Sequence, residues 1–411
     1  MAEANKTESK NEEWASRGSA ALLGNYKPMP IALVSGEGAR VTDADGNRYI
    51  DFVSGIAVSA LGHGHPQLVA AIREQAGKIL HTSNTVWNEQ AVRLAEKLVK
   101  SSFADRVYFS NSGAEAIEAM LKLARKYFFD KGEGRYEIVA FDKSFHGRTM
   151  GALSVTGQEK YRLGFEPLLP GVKIVPWGDL QALEQAMTER TAAVLIEPIQ
   201  GEGGLRPGPA GYLKAVRELT TRHGCLMLLD EVQSGVGRTG TLWAYEQEGF
   251  VPDAMAIAKG IGGGVPLGAM LTTDAIGAAL PFGSHGSTYG GNPLACAAGN
   301  VVLDIVDDPA FLARVKSLGE HLQTRLQQVM RNHRRICVDV RGRGLWYGLE
   351  LNVDLARLPR AALARGLMLN IIGGKVIRFA PPLVIDQATL DEGIDIVDSL
   401  LSSFGEEATR V

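Results

Sequence analysis

Short apolar runs bounded by glycine and polar residues recur from Val107 to about Ala269. They are Val107–Phe109, Ile138–Phe141, Val172–Val175, Ala193–Ile196, Leu226–Leu229, Ala254–Ile257 and Leu267–Leu271. Between them, Glu115–Tyr127, Leu180–Met187 and Gly211–His223 carry helical spacing. Continuous apolar strands alternating with amphipathic helices predict an α/β fold built on a mostly parallel sheet with both faces covered. Upstream, Ala39–Val41 and Arg48–Ile50 flank the turn-forming Asp43-Ala44-Asp45-Gly46-Asn47 as a small hairpin, and Pro66–Lys78 and Glu89–Lys100 read as helices. Downstream come a helix from Pro293 and another over Pro309–Arg331. Strands at Cys337–Val340, Trp346–Glu350 and Lys375–Phe379 follow, then a last helix over Gln387–Ser402, the pattern of a smaller α/β module. Residues 1–13, rich in Glu, Lys and Asn, offer almost nothing to bury and are expected to be a disordered tail.

Composition narrows the function classes. The 411 residues are 45% hydrophobic with net charge −3, too balanced for a protein that lives on phosphate backbones. No apolar run approaches the roughly 20 residues of a membrane span, and the polar start lacks the apolar core of a signal peptide, so a cytoplasmic chain is expected. Cys225, Cys296 and Cys337 stand alone in apolar stretches, an arrangement suited to buried inert thiols rather than disulfides or a zinc site. The 48 glycines are the one outlier, and they suit an enzyme whose backbone approaches its ligands closely.

Three motifs tempt and fail. Gly235-Val-Gly237-Arg-Thr-Gly240 matches a dinucleotide fingerprint, but Asp230, Glu231 and Gln233 intervene after the strand and no acidic residue follows at the required distance; a flexible loop is expected. The run Leu226–Glu231 resembles the strand and acid of a nucleotide hydrolase, yet no phosphate loop exists in the chain. His63-Gly64-His65 lacks a third ligand, so turn or structural histidines, and no metal, are expected.

A different constellation carries chemistry. Ser112-Gly113-Ala114-Glu115 follows a strand and opens a helix, with Ser112 and Glu115 spaced as a capping box. Its free amides and positive dipole end suit a phosphate as well as they suit a plain cap. Asp230 ends a very apolar strand, where it could cap, bind metal or pair with a buried cation. Lys259 ends another and is followed by glycines with no acid nearby; desolvation there would leave a nucleophilic amine. Phosphate, a ring nitrogen needing an anion, and an aldehyde for a lysine are the three handles of pyridoxal phosphate, and Phe145 offers a flat face for its ring.

The ordered segments GIAVSALGHGHP (55–66), NSGAEAIEAMLKLAR (111–125), SFHGRT (144–149), EPIQGEGG (197–204), LLDEVQSGVGRTG (228–240), AKGIGGGVPLGA (258–269), HGSTYGGNPLACA (285–297) and KVIRFAPPL (375–383) resemble the class III, fold-type I pyridoxal-phosphate aminotransferases. The resemblance runs from about Tyr26 to Phe404. It implies a large cofactor-binding domain over 71–300, with a small domain assembled from 14–70 and 301–411, and a homodimer with shared active sites. It also implies roles. Lys259 would bind the cofactor's aldehyde and shuttle the proton, while Asp230 would hold the pyridinium. Gln233 would bond the ring hydroxyl side, Phe145 would stack, and Val232 would border the ring. Ser112, Gly113 and Ala114 would cradle the phosphate, with Thr288 reaching it from the partner and Ser287 beside it near the substrate. Arg148 would bind the carboxylate far from the reacting amine, and Glu202 and Arg378 would form a switchable pair.

Among the family's substrates, acetylornithine, ornithine, succinylornithine and 4-aminobutyrate, Ile56 would set hydrocarbon where ornithine enzymes resemble one another in having Tyr. That favours an acylated or absent α-amine, and the segment SNTVWNEQAVRLAEKL (83–98) is similar to acetylornithine enzymes; Tyr26 pulls toward ornithine. The expected reaction is transfer of the terminal amine of N2-acetylornithine to 2-oxoglutarate. An aminomutase of the same fold is the rival, and it has no need of a Glu202–Arg378 pair.

Overall fold

The computed structural model describes residues 9–408. All seven strands expected between Val107 and Ala269 form, as Arg106–Ser110, Glu137–Phe141, Val172–Val175, Thr191–Ile196, Leu226–Asp230, Ala254–Ile257 and Gly268–Thr272, and they make one sheet. Its spatial order, by first residue, is 106, 268, 254, 226, 191, 137, 172. Gly268–Thr272 runs antiparallel to both neighbours, and the other pairings are parallel.

Alternate residues of the central strands enter two different cores. Ile138, Ala140, Ala193, Leu195, Leu228 and Ala256 pack with helix Gly113–Asp130 on one face. Val139, Phe141, Val194, Ile196, Leu229 and Ile257 pack on the other, with helices Tyr212–His223 and Pro293–Val306. Burial on both faces explains why these strands read as continuous apolar runs. All three cysteines are buried, and burial pushes their thiols up to about 12, which leaves them protonated and inert.

The chain ends meet in two smaller sheets. One holds Leu33–Glu37, Arg40–Asp43, Arg48–Asp51 and Leu367–Met368, the last paired in parallel with Arg48–Asp51. The other orders Cys337–Arg343, Trp346–Leu351, Val376–Phe379 and Asn370–Ile372. Strands as short as Leu367–Met368 carry no readable period, so the sequence did not announce them.

Two expectations need correction. Of the supposed tail, residues 1–8 lie outside the described residues, but Ser9 caps a helix over Lys10–Ala21. Asn11 anchors it: its side-chain amide donates to Asp43 (2.8 Å) and its carbonyl accepts from Ala32 N–H (2.9 Å). The segment Gly235–Gly240 is not a flexible loop either. It is a buried run of turns, and a Cβ on Gly237 (φ 78°) would sit 2.6 Å from Val306. His63 is structural, its Nε2 lying 2.8 Å from Asp51, and no cluster of three metal-binding groups exists among the described residues.

Candidate active site

The C-terminal ends of the parallel strands open into a cavity of about 460 Å³, the place where open α/β sheets bind ligands. Of the expected residues it is lined by Ser112, Gly113, Ala114, Phe145, Arg148, Glu202, Asp230, Val232, Gln233 and Lys259. Arg378 joins them by an ion pair with Glu202.

The phosphate end is a helix start. Ser112 Oγ accepts from Glu115 N–H (3.3 Å), as a cap should. The reciprocal half of the capping box is displaced, since Glu115 bonds the Asn111 amide instead of that of Ser112. At Gly113 a Cβ would meet the Val232 methyls at 2.8 and 2.9 Å, so only glycine lets this helix start come so close to the strand end. The Gly113 and Ala114 amides are left without an acceptor in the helix, a pair suited to an anion.

Asp230 terminates its strand with both oxygens engaged. Oδ1 accepts from Val232 N–H (3.0 Å) and Oδ2 lies 2.7 Å from His146 Nδ1. His146 is buried, and its other ring nitrogen has no protein partner. Phe145 is held by Glu197, which accepts its amide N–H at 3.2 Å. Gln233 keeps a buried Nε2 without any partner. An orphaned amide donor beside a stacking ring, a carboxylate and a helix start fits a polar aromatic phosphate, and the cavity residues therefore fit pyridoxal phosphate.

Lys259 sits at the first position of a short 3-10 turn with φ 49°, the left-handed region that costs a non-glycine residue strain. Burial pushes its ammonium below the ordinary range, against the opposing pull of Glu202. Glu202 itself is pushed up by burial, but Arg378 and Lys259 outweigh this and hold it low. The Arg148 guanidinium stacks 3.8 Å over the Tyr161 ring and makes no ion pair among the described residues.

Four expected residues stay out of the cavity within one chain. Tyr26 (82% exposed) and Ile56 (41% exposed) lie at the surface, although Val58, two residues on, lines the cavity. Ser287 borders a separate cleft with Asn84 to Asn88, and Thr288 is exposed. Conversely, His146, Glu197, Tyr161 and Asn111 escaped the sequence reading. His146, Glu197 and Asn111 lie within the family-like segments, and the signal for the first two was a polar residue beside the expected stacking ring or at the end of an apolar strand.

The sequence profile of the family described as aminotransferase class-III matches residues 23–401. The chain belongs to this family. Class-III aminotransferases use pyridoxal phosphate, in keeping with the cavity. The chain is 50% identical to an acetylornithine aminotransferase of Shewanella oneidensis, over 91% of this chain and 94% of that one. It is 47% identical to the acetylornithine aminotransferase of Caldanaerobacter subterraneus, over 93% and 97%. Among solved structures, the ornithine aminotransferase from Toxoplasma gondii, crystallized with partial occupancy of pyridoxal phosphate, superposes with a TM-score of 0.93 at 32% identity, covering 97% of this chain and 95% of that one. This class-III aminotransferase thus has the fold-type I architecture, and among its described residues no helix is long and apolar enough to cross a membrane.

Proposed function

We propose that this aminotransferase moves the terminal amino group of N2-acetylornithine to 2-oxoglutarate, giving N-acetylglutamate 5-semialdehyde and glutamate, a step of arginine biosynthesis in the cytoplasm. The observation that carries the reading is the pair of buried Arg378 with half-buried Glu202, which lines the cavity with Lys259, in a chain whose relatives at 47–50% identity are acetylornithine aminotransferases. Bound pyridoxal phosphate supplies a conjugated ring that takes up the electron pair left when a substrate C–H bond breaks.

The chain's own residues do the rest. Lys259 would hold the cofactor through Nζ, and the same atom, when free, would take and return the substrate proton. Asp230, steadied by His146, would supply the anion for the ring nitrogen, and Phe145 would offer the flat face for the ring. Gln233 Nε2 donates to the ring hydroxyl side. The amides of Gly113 and Ala114 with Ser112 hold the phosphate.

Acetylornithine brings a neutral methylene chain past Arg378, and pairing with Glu202 spares that guanidinium an unmatched charge in a desolvated site. When glutamate or 2-oxoglutarate arrives, Glu202 swings aside and Arg378 takes the carboxylate. Arg148, stacked but unpaired, grips the distal carboxylate in both half-reactions through a bidentate fork. Tyr26 and Ile56 border the substrate mouth.

A second copy completes each site as a homodimer, bringing Thr288 to the phosphate and Ser287 to the substrate. Supporting this, the cleft bordering Ser287 lies among exposed apolar side chains, Val86, Trp87 and Tyr289. A second substrate reading, ornithine, rests on the close superposition with the Toxoplasma enzyme and on Tyr26. Single-turnover assays with acetylornithine, ornithine, succinylornithine and 4-aminobutyrate side by side decide: acetylornithine is expected to react fastest, and a faster reaction with free ornithine overturns the assignment.

A further inference from the structure

Glu197 has no part in the scheme above, yet it lies in the floor of the cavity. Strands Thr191–Ile196 and Leu226–Asp230 pair in parallel with Ile196 opposite Leu229. The next residue on each strand is therefore an acid, Glu197 on one and Asp230 on the other. Neighbouring strands run about 4.8 Å apart, so the register sets two carboxyl groups side by side at the edge of the sheet.

The two are not equally provided for. Asp230 has His146 on one oxygen and the Val232 amide on the other. Glu197 is only 7% exposed, receives the Phe145 amide alone, and forms no ion pair among the described residues. The groups facing it are Asp230 and His146 at the sheet edge, Glu202 on its own following turn, and Lys259 from the 3-10 turn, with Arg378 beyond Glu202. Lys259 would be committed to the cofactor on attachment, and Arg378 is already matched by Glu202. Like charges at neighbouring strand ends oppose ionisation, and Glu197, the acid without a cationic partner of its own, holds its proton more firmly.

We infer that Glu197 is a positioning residue that works as a neutral acid: it fixes the stacking Phe145 through its amide, keeps its own proton, and so leaves Asp230 as the single anion beneath the cofactor ring. Burial and the neighbouring Asp230 both push the Glu197 carboxyl well above the usual carboxylate range, in agreement with this arrangement. An ionised Glu197 would instead add a second negative charge to the floor and compete with Asp230 for the cationic ring nitrogen. The inference concerns the cofactor pocket and holds for any amino donor, so its failure is separate from failure of the substrate assignment.

The test uses the resting holoenzyme. Glu197→Gln keeps the shape and the acceptor for Phe145 N–H but can carry no charge. If Glu197 is neutral, the pH midpoint of the lysine-bound cofactor's absorbance change stays at its wild-type value in Glu197→Gln. If Glu197 is an anion, its loss lowers that midpoint, by about one and a half to two pH units for an assumed separation of about 6–8 Å at an effective dielectric of about 20. A drop of that size overturns the proposal. Glu197→Ala, which frees Phe145, is expected to weaken cofactor retention on dialysis about tenfold or more, and Glu197→Gln to restore it; failure of Gln to restore it also counts against a neutral role. Infrared difference spectra of wild type against Glu197→Gln at neutral pH give an independent answer. A protonated-carboxyl stretch that is missing from the variant supports the inference, and a carboxylate band in its place refutes it.

Discussion

In the proposed scheme Lys259 combines nucleophile and proton carrier in one nitrogen, which would make its removal more damaging than that of any neighbour. Lys259→Ala is expected to fold and to bind cofactor non-covalently with transamination reduced to a trace; turnover above that trace without an added amine contradicts the assignment. Asp230→Asn should retain cofactor, because Phe145, Gln233 and the helix start remain. It should nevertheless react far more slowly in both half-reactions, since an amide cannot hold the pyridine nitrogen protonated. Near-normal rates with cofactor bound would give Asp230 another job. Glu202→Ala would remove the proposed gate over Arg378. Its single-turnover rate should fall mainly with acetylornithine while the glutamate half-reaction is kept or improved, and equal losses in both would leave Glu202 and Arg378 as a fixed structural pair. At this scale the sequence was most legible where chemistry is unusual: a lysine and an aspartate at apolar strand ends announce themselves. His146 and Glu197 did not, because their meaning depends on which strand lies beside which, and one sequence does not reveal pairing.

Elements show the same division. The seven strands of the large sheet were readable because each is buried on both faces, leaving unbroken apolar runs, and their helices carry a clear stripe. The helix Lys10–Ala21 was not, since what holds it is polar. Asn11, Asn47 and Tyr49 all donate to Asp43, at 2.8, 3.0 and 2.7 Å, together with the amides of Asp45 and Asn47. Burial pushes the Asp43 carboxyl up, but the hydrogen bonds from Tyr49, Asn47 and Asn11 outweigh it and bring it down to about 2. A depressed folded-state value means that the stabilisation is complete above the unfolded value near 4 and is lost as pH falls toward 2. It amounts to on the order of 2 kcal/mol. Urea unfolding at pH 6 and at pH 2.5 should therefore show a penalty for Asp43→Ala at the higher pH that shrinks at the lower one. An unchanged penalty would mean that the knot does not depend on charge.

For the whole molecule, the proposed sharing of sites between two chains has a direct consequence. Lys259→Ala and Thr288→Ala homodimers should each be inactive or nearly so. Mixed dimers should regain about one wild-type site each, because one of the two sites then carries both native residues. Verified mixed dimers without recovery would refute a shared site. This is also where a single chain was least legible: Ser287, Thr288, Tyr26 and Ile56 lie away from the cavity of one chain.

The parallel pairing of Leu367–Met368 with Arg48–Asp51 sets an order of events during synthesis. Ile50 pairs across from Leu367, and the Phe52 carbonyl accepts from the Ala380 amide, so the hairpin near the start of the chain is finished by residues more than three hundred positions later. At about 5–20 residues per second the ribosome needs roughly 15–65 s to bring Leu367 out after Ile50. Through that interval the inner edge of the hairpin, with Phe52 destined for the face of Phe379, has no native neighbour to cover it. That edge of Arg48–Asp51 is made early and housed late, and the nascent chain must reach Leu367 before it is safe from the wrong partner.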